Sequence, residues 1–114
     1  MNVEEVLNLE CLPPVRIKSK SAFLFPVMIT NGTTNTIDRQ LSGCIQLEEG
    51  LVLKPRQSAE IRFKHLYPGQ KIILTWILYA QKSGRFSVHI KVMALNKIIA
   101  AKTLWIMVQS SVKG

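Results

Sequence analysis

The sequence predicts an all-β fold, an antiparallel β-sandwich of seven to eight strands. Three observations carry that prediction. Short stretches of alternating apolar and polar residues recur along the 114-residue chain, broken by turn signals roughly every 8 to 15 residues, the pattern of a sandwich or barrel. No stretch sustains an apolar period of 3.6 residues with caps. Residues 66–92, LYPGQKIILTWILYAQKSGRFSVHIKV, read as a hairpin of an apolar strand, a polar glycine-containing turn and a cleanly alternating strand.

Residues 3–9 alternate weakly through Val3, Val6, Leu7 and Leu9. They predict a short edge strand that Pro13 and Pro14 end, because proline has no N–H to give a central ladder. Residues 15–20 set Val15 and Ile17 against Arg16 and Lys18, as in a half-buried strand. Residues 22–30, AFLFPVMIT, are apolar on both faces; Pro26 predicts an edge position or a bulge there. Residues 31–38 form a polar loop opened by Asn31-Gly32. Asn31-Gly32-Thr33 also fits the N-glycosylation acceptor pattern.

Residues 39–47 place Leu41, Gly43, Ile45 and Leu47 on one face. Glu48-Glu49-Gly50 turns the chain, residues 51–53 return briefly, and residues 58–64 point Ala59, Ile61 and Phe63 inward. In the hairpin, residues 72–80 predict a central strand with Trp76 and Tyr79 on opposite sides. Phe86, Val88, Ile90, Val92 and Ala94 face the core, and Ser87, His89 and Lys91 face solvent. Asn96-Lys97 marks a turn, residues 98–108 a last strand apolar enough to be largely covered, and residues 109–114 a frayed tail.

At this length one domain is expected over residues 1–114, with 47% hydrophobic and 19% charged residues, an ordinary globular balance. No apolar run approaches the roughly 18 to 20 residues of a membrane-spanning helix. The N-terminus is acidic where a signal peptide is basic. A complete chain is therefore expected in the cytoplasm, and a piece excised from a longer secreted protein outside the cell. Cys11 and Cys44 read as free buried thiols; a disulfide between them would require an oxidising compartment.

The net charge of +8 is uneven. All seven acidic residues lie at or before Glu60, with six basic ones, whereas nine basic residues and no acid follow it. Such a field favours acidic partners. It makes Arg62, Lys64, Lys71, Lys82, Arg85, Lys91, Lys97 and Lys102 the candidate surface for an anionic partner; a solvated, solubilising face is the plainer reading. Met93, Leu95, Trp105 and Met107 are a candidate apolar interface, with Trp105 read alternatively as a core aromatic.

Several segments of this pattern resemble a known group of modules. Ile29-Thr30-Asn31 closes a strand, Gly50-Leu51-Val52-Leu53-Lys54-Pro55 follows, and then come Leu66, Pro68, Gly69, Trp76, Ala80, Gly84, Phe86, Val88 and Ile90. Across about residues 20 to 108 the chain resembles the immunoglobulin-like CARDB modules, cell-adhesion-related domains of bacteria and archaea, and the NPCBM-associated modules of glycosidases. The resemblance implies an immunoglobulin-like sandwich and an accessory or adhesion role. The strong positive charge and the missing secretion signal depart from the usual pattern.

Catalytic chemistry is not legible. His65 and His89 are the only histidines, no metal-ligand spacing joins them to the cysteines, and no G-x-S-x-G, C-x-x-C or phosphate-binding glycine loop occurs. The expectation is a non-enzymatic module without cofactor or metal. It would bind a protein or carbohydrate through a sheet face or loops, with nucleic acid or another anionic surface as the alternative. A homodimer through a sheet face is a further partner expectation.

Overall fold

The computed structural model describes residues 7–110; of the expected first strand, Val3 and Val6 lie outside them, as does most of the tail. The described residues form nine strands and no helix: β1 (Leu7–Cys11), β2 (Ile17–Lys18), β3 (Ser21–Asn31), β4 (Leu41–Leu47), β5 (Leu51–Leu53), β6 (Glu60–Phe63), β7 (Lys71–Ala80), β8 (Gly84–Ala94) and β9 (Lys97–Gln109). A four-stranded sheet in the order β1-β3-β7-β5 packs on a five-stranded sheet in the order β2-β9-β8-β4-β6. From β4 to β8 the chain changes sheet at every connection. Only β2 pairs in parallel, with β9.

Alternation dictates the core. Phe23, Phe25, Val27 and Ile29 of β3 and Leu74, Trp76 and Leu78 of β7 point inward and are buried. They meet Leu41 and Ile45 of β4 and the inward row of β8, where Phe86, Val88, Ile90, Val92 and Ala94 are all buried as predicted. Trp76 is fully buried and its Nε1–H donates to the Ser58 carbonyl at 2.9 Å, which lets an indole sit in the core without an unpaired donor.

Pro13 and Pro14 lie where the chain leaves β1 in one sheet for β2 in the other. Pro26 corrects the expectation of an edge or bulge. It lies in β3, between β1 and β7, and pairs in register with Thr75. The Leu12 N–H donates to the Pro26 carbonyl at 2.9 Å, so the backbone groups of Pro26 face the β1 side. β1 ends at Cys11. The missing proline N–H therefore falls beside the end of the neighbouring strand and removes nothing from the β7 ladder.

Other details differ from the prediction. Ala59 precedes β6 and is exposed, while Ile61 and Phe63 are half-buried. The β8–β9 turn is Leu95-Asn96, one residue earlier than expected. Both residues have positive φ, 51° and 64°, the requirement of a two-residue type I′ turn. Gly84 opens β8 at φ 139°, a backbone conformation that glycine adopts without steric cost.

Candidate functional site

The residues of the candidate interface do not form one patch. Trp105 and Met107 are adjacent outward positions of β9, 53% and 61% exposed, so neither the core reading of Trp105 nor a largely covered last strand holds. The Arg85 guanidinium stacks 4.9 Å from the centre of the Trp105 ring. Met93 pairs with Ile98 at the other end of the sheet, and Leu95 projects from the turn beyond it. Met93 lies six positions along β8 from Ser87, the partner of Trp105, a span of roughly 20 Å. Between the two ends lie a hydrogen bond between His89 Nδ1 and Thr103 Oγ1 (2.7 Å) and the Lys91–Ala101 pair.

Nor do the candidate basic residues converge. Lys64, Lys71 and Lys97 lie at the end of the sandwich where β7 begins and β8 finishes, and Lys82 and Arg85 at the opposite end. Arg62 and Lys91 are outward on the five-stranded sheet, with Arg62 3.9 Å from Glu60. Lys102 stands apart at the seam between the sheets, its Nζ donating to the Leu9 carbonyl at 3.3 Å. Beside it a shallow cleft of about 300 Å³ opens between Leu7, Asn8 and Leu9 of β1 and Ala100, Ala101 and Lys102 of β9. Ser87, expected in solvent, is buried; its N–H and hydroxyl both donate to Glu48 Oε1, at 2.7 and 3.1 Å.

Asn31, the residue of the acceptor pattern, is fully buried. Its Nδ2 donates to the carbonyls of Leu66 (2.8 Å) and Asn35 (2.9 Å), and its Oδ1 accepts from the N–H and hydroxyl of Thr33 (3.0 and 2.7 Å). Its own carbonyl accepts from the Gly69 N–H at 2.8 Å. Asn31 thus joins the 31–38 loop to the turn before β7, and no amide hydrogen is left for a glycan. His65 and Asp38 close the same region with an exposed pair at 2.7 Å.

Cys11 and Cys44 are both free and half-buried. Cys11 points into the sandwich from the edge of the four-stranded sheet; Cys44 points outward from β4, in register with Lys91 and Glu60. Burial raises both thiol pKa values; for Cys44 the Glu60 carboxylate adds to the rise and Lys91 opposes it, and for Cys11 Lys102 opposes it. Raised thiols are weak nucleophiles. No group of three metal-ligating side chains occurs among the described residues.

The surface that does gather is the outer face of the four-stranded sheet. Cross-strand register places Val52 beside Tyr79 and Ala22, Ile77 beside Leu24, Thr75 beside Pro26, and Ile73 beside Met28. Leu24 is 54% and Ile73 58% exposed, while Met28, Ile77 and Tyr79 are half-buried by their neighbours alone. At strand spacing this block covers roughly 300 Å² of projected face, the scale at which exposed apolar patches mark interfaces. Lys54, 5.9 Å above the Tyr79 ring, and Lys71 and Glu10 at its margins form a polar rim. The doubly apolar pattern of β3 and β7, with no helix among the described residues to cover it, is the sequence signal for this face.

No protein-family model matches the chain, and no curated protein is similar to it in sequence. Solved structures are. The CARDB domain of the PF1109 protein from Pyrococcus furiosus superposes with a TM-score of 0.68 at 13% identity, over 91% of this chain and 94% of that one. The cohesin module of a family 33 glycoside hydrolase from Clostridium perfringens gives 0.69 at 10% identity, over 93% and 98%. A segment of trypsin-activated alpha-2-macroglobulin from Escherichia coli gives 0.72 at 19% identity; the match covers 93% of this chain and 7% of that protein. The likeness is one of fold: the chain is a CARDB-like, immunoglobulin-like β-sandwich.

Proposed function

We propose that the chain is a non-catalytic accessory module that binds a protein or carbohydrate partner through the outer face of its four-stranded sheet. The observation that carries this reading is the aliphatic block formed by the Leu24–Ile77 and Met28–Ile73 pairs, exposed in a sandwich that has no third layer among its described residues. Leucine, isoleucine and methionine without a ring of hydrogen-bonding side chains suit an apolar protein surface better than a sugar. The similar structures support the accessory part of the reading, since they are a domain, a module and a segment of larger proteins. Nucleic acid is the weaker alternative, because the basic side chains are spread over both sheets and both ends rather than along one track.

The test is affinity capture from a protein extract, alongside a glycan array, with the wild-type chain and the Leu24→Thr/Ile73→Thr variant. Threonine keeps the strand preference and removes the apolar surface. The expected result is a protein retained by the wild type and lost by the variant. Equal retention by both, or loss only when Lys64 and Lys97 are neutralised, overturns the assignment.

A further inference from the structure

β9 is thirteen residues long and pairs with β8 along its length, but on its other side β2 covers only Val108 and Gln109. The Ser19 N–H donates to the Gln109 carbonyl at 2.8 Å, so the backbone of Gln109 faces away from β8. Backbone direction alternates along a strand. The N–H and C=O groups of Ala101, Thr103, Trp105 and Met107 therefore face the same edge; the parallel Ile17–Val108 pairing takes the Met107 carbonyl, and no strand among the described residues pairs with the groups of Ala101, Thr103 and Trp105. Ala101, Lys102 and Thr103 are exposed in succession, as an open edge requires. The corresponding edge of β7 is treated differently. Beyond the end of β5, the Lys54 N–H donates to the Ile77 carbonyl and Gln57 Oε1 accepts from the Ile77 N–H. The fold caps one edge with its own groups and leaves the other without a paired strand from Ala101 to Trp105, with β1 across the shallow cleft from Ala100, Ala101 and Lys102.

A bare edge of this length is a template for a further strand. The regular ladder runs from β2 back to the bulge opposite Val92 and Met93, leaving about 30 Å for an added strand. Only an extended polypeptide presents donors and acceptors at the matching repeat. Charge selects among polypeptides. Lys102 lies toward the β1 end of the edge with its Nζ on the Leu9 carbonyl, Arg85 and Lys18 flank the far end, and neither β8 nor β9 contains a carboxylate. A second copy of β9 would bring its own lysines and no acid.

We propose that the open edge of β9 takes up an extended polypeptide strand that alternates apolar residues with carboxylates, one of them facing Lys102. This site is separate from the outer face of the four-stranded sheet.

The test uses the full chain and a nine-residue peptide alternating valine with glutamate, read by Trp105 emission and by the amide signals of Ala101, Thr103, Trp105 and Met107. Ala101→Pro removes an N–H that faces the open edge and leaves the β8 ladder intact, as edge strands permit. The expected result is saturable binding that shifts those four amides and weakens about tenfold or more in Ala101→Pro and in Lys102→Glu. It persists in Leu24→Thr/Ile73→Thr, which separates this site from the sheet face. A peptide N-methylated at alternate residues is expected not to bind, and it decides the matter should Ala101→Pro not fold. Three outcomes overturn the proposal: no binding at about 1 mM peptide, equal binding of the N-methylated peptide, or a dimer in sedimentation whose four amides are already protected, which makes a second copy the occupant.

Discussion

Replacing Asn31 with alanine removes four side-chain hydrogen bonds from a fully buried position. Their loss is only partly uncompensated. The Leu66 carbonyl keeps the Ile37 N–H at 2.9 Å, and Thr33 and Asn35 can be rehydrated at the surface. At about 1 kcal/mol for each bond not recovered, Asn31→Ala costs about 2–3 kcal/mol. Asn31→Asp is nearly isosteric and costs more, about 3–5 kcal/mol at neutral pH, because a carboxylate oxygen replaces the donor between two carbonyls in a buried site. Such a carboxyl has its pKa raised by folding. The variant is therefore most stable below the unfolded value of about 4 and loses stability as pH rises through the folded value. Urea unfolding followed by tryptophan emission measures both; in thermal unfolding the alanine variant should melt about 8–12 °C lower. A change below about 0.5 kcal/mol for Asn31→Ala, or an Asn31→Asp variant as stable as Asn31→Ala at pH 7, would refute the anchoring role.

Trp76→Phe leaves a void and an unpaired Ser58 carbonyl, for a loss of about 2 kcal/mol. Trp105→Phe, at an exposed position, should change stability by less than about 0.5 kcal/mol; comparable losses in the two unfolding curves would contradict the burial assigned to each. Both thiols have pKa values raised by folding from 9.0. Their contribution is complete below that value and is lost as pH rises through the higher folded values. The urea midpoint should accordingly fall above about pH 9, less steeply in Cys11→Ser/Cys44→Ser; parallel declines would show that other groups are responsible. Because one thiol points into the sandwich and the other out of the opposite sheet, mild oxidation of the folded chain should yield no intramolecular disulfide in mass spectrometry.

The architecture was legible where one face of a strand is buried. The period-two pattern of β8 identifies every inward residue correctly, and Trp76 and Tyr79 take opposite sides of β7 as read. The errors share a physical origin. A strand apolar on both faces looks the same whether another layer covers it or its outer face is open to a partner. Thus the doubly apolar strands β3 and β7 leave Leu24 and Ile73 exposed, and the last strand, expected to be largely covered, leaves Trp105 and Met107 in the open. Pro26 misled because the rule forbids a missing donor toward a paired neighbour, and sequence does not reveal where β1 stops. The basic half of the chain read as a field, yet alternation and the sheet changes between β4 and β8 distribute its lysines over separate surfaces. Ser87 escaped because its burial depends on the distant Glu48.

The outer face of the four-stranded sheet is proposed to be an open, apolar recognition surface. Its most direct test is the broadening of methyl signals by a water-soluble paramagnetic chelate, in the dilute free protein. Strong broadening is expected for Leu24, Val52 and Ile73, and protection for Val27, Leu78 and Val88 of the core. Leu24 and Ile73 methyl groups as protected as those of Val27 and Leu78 would mean that the face is already covered, and would contradict it.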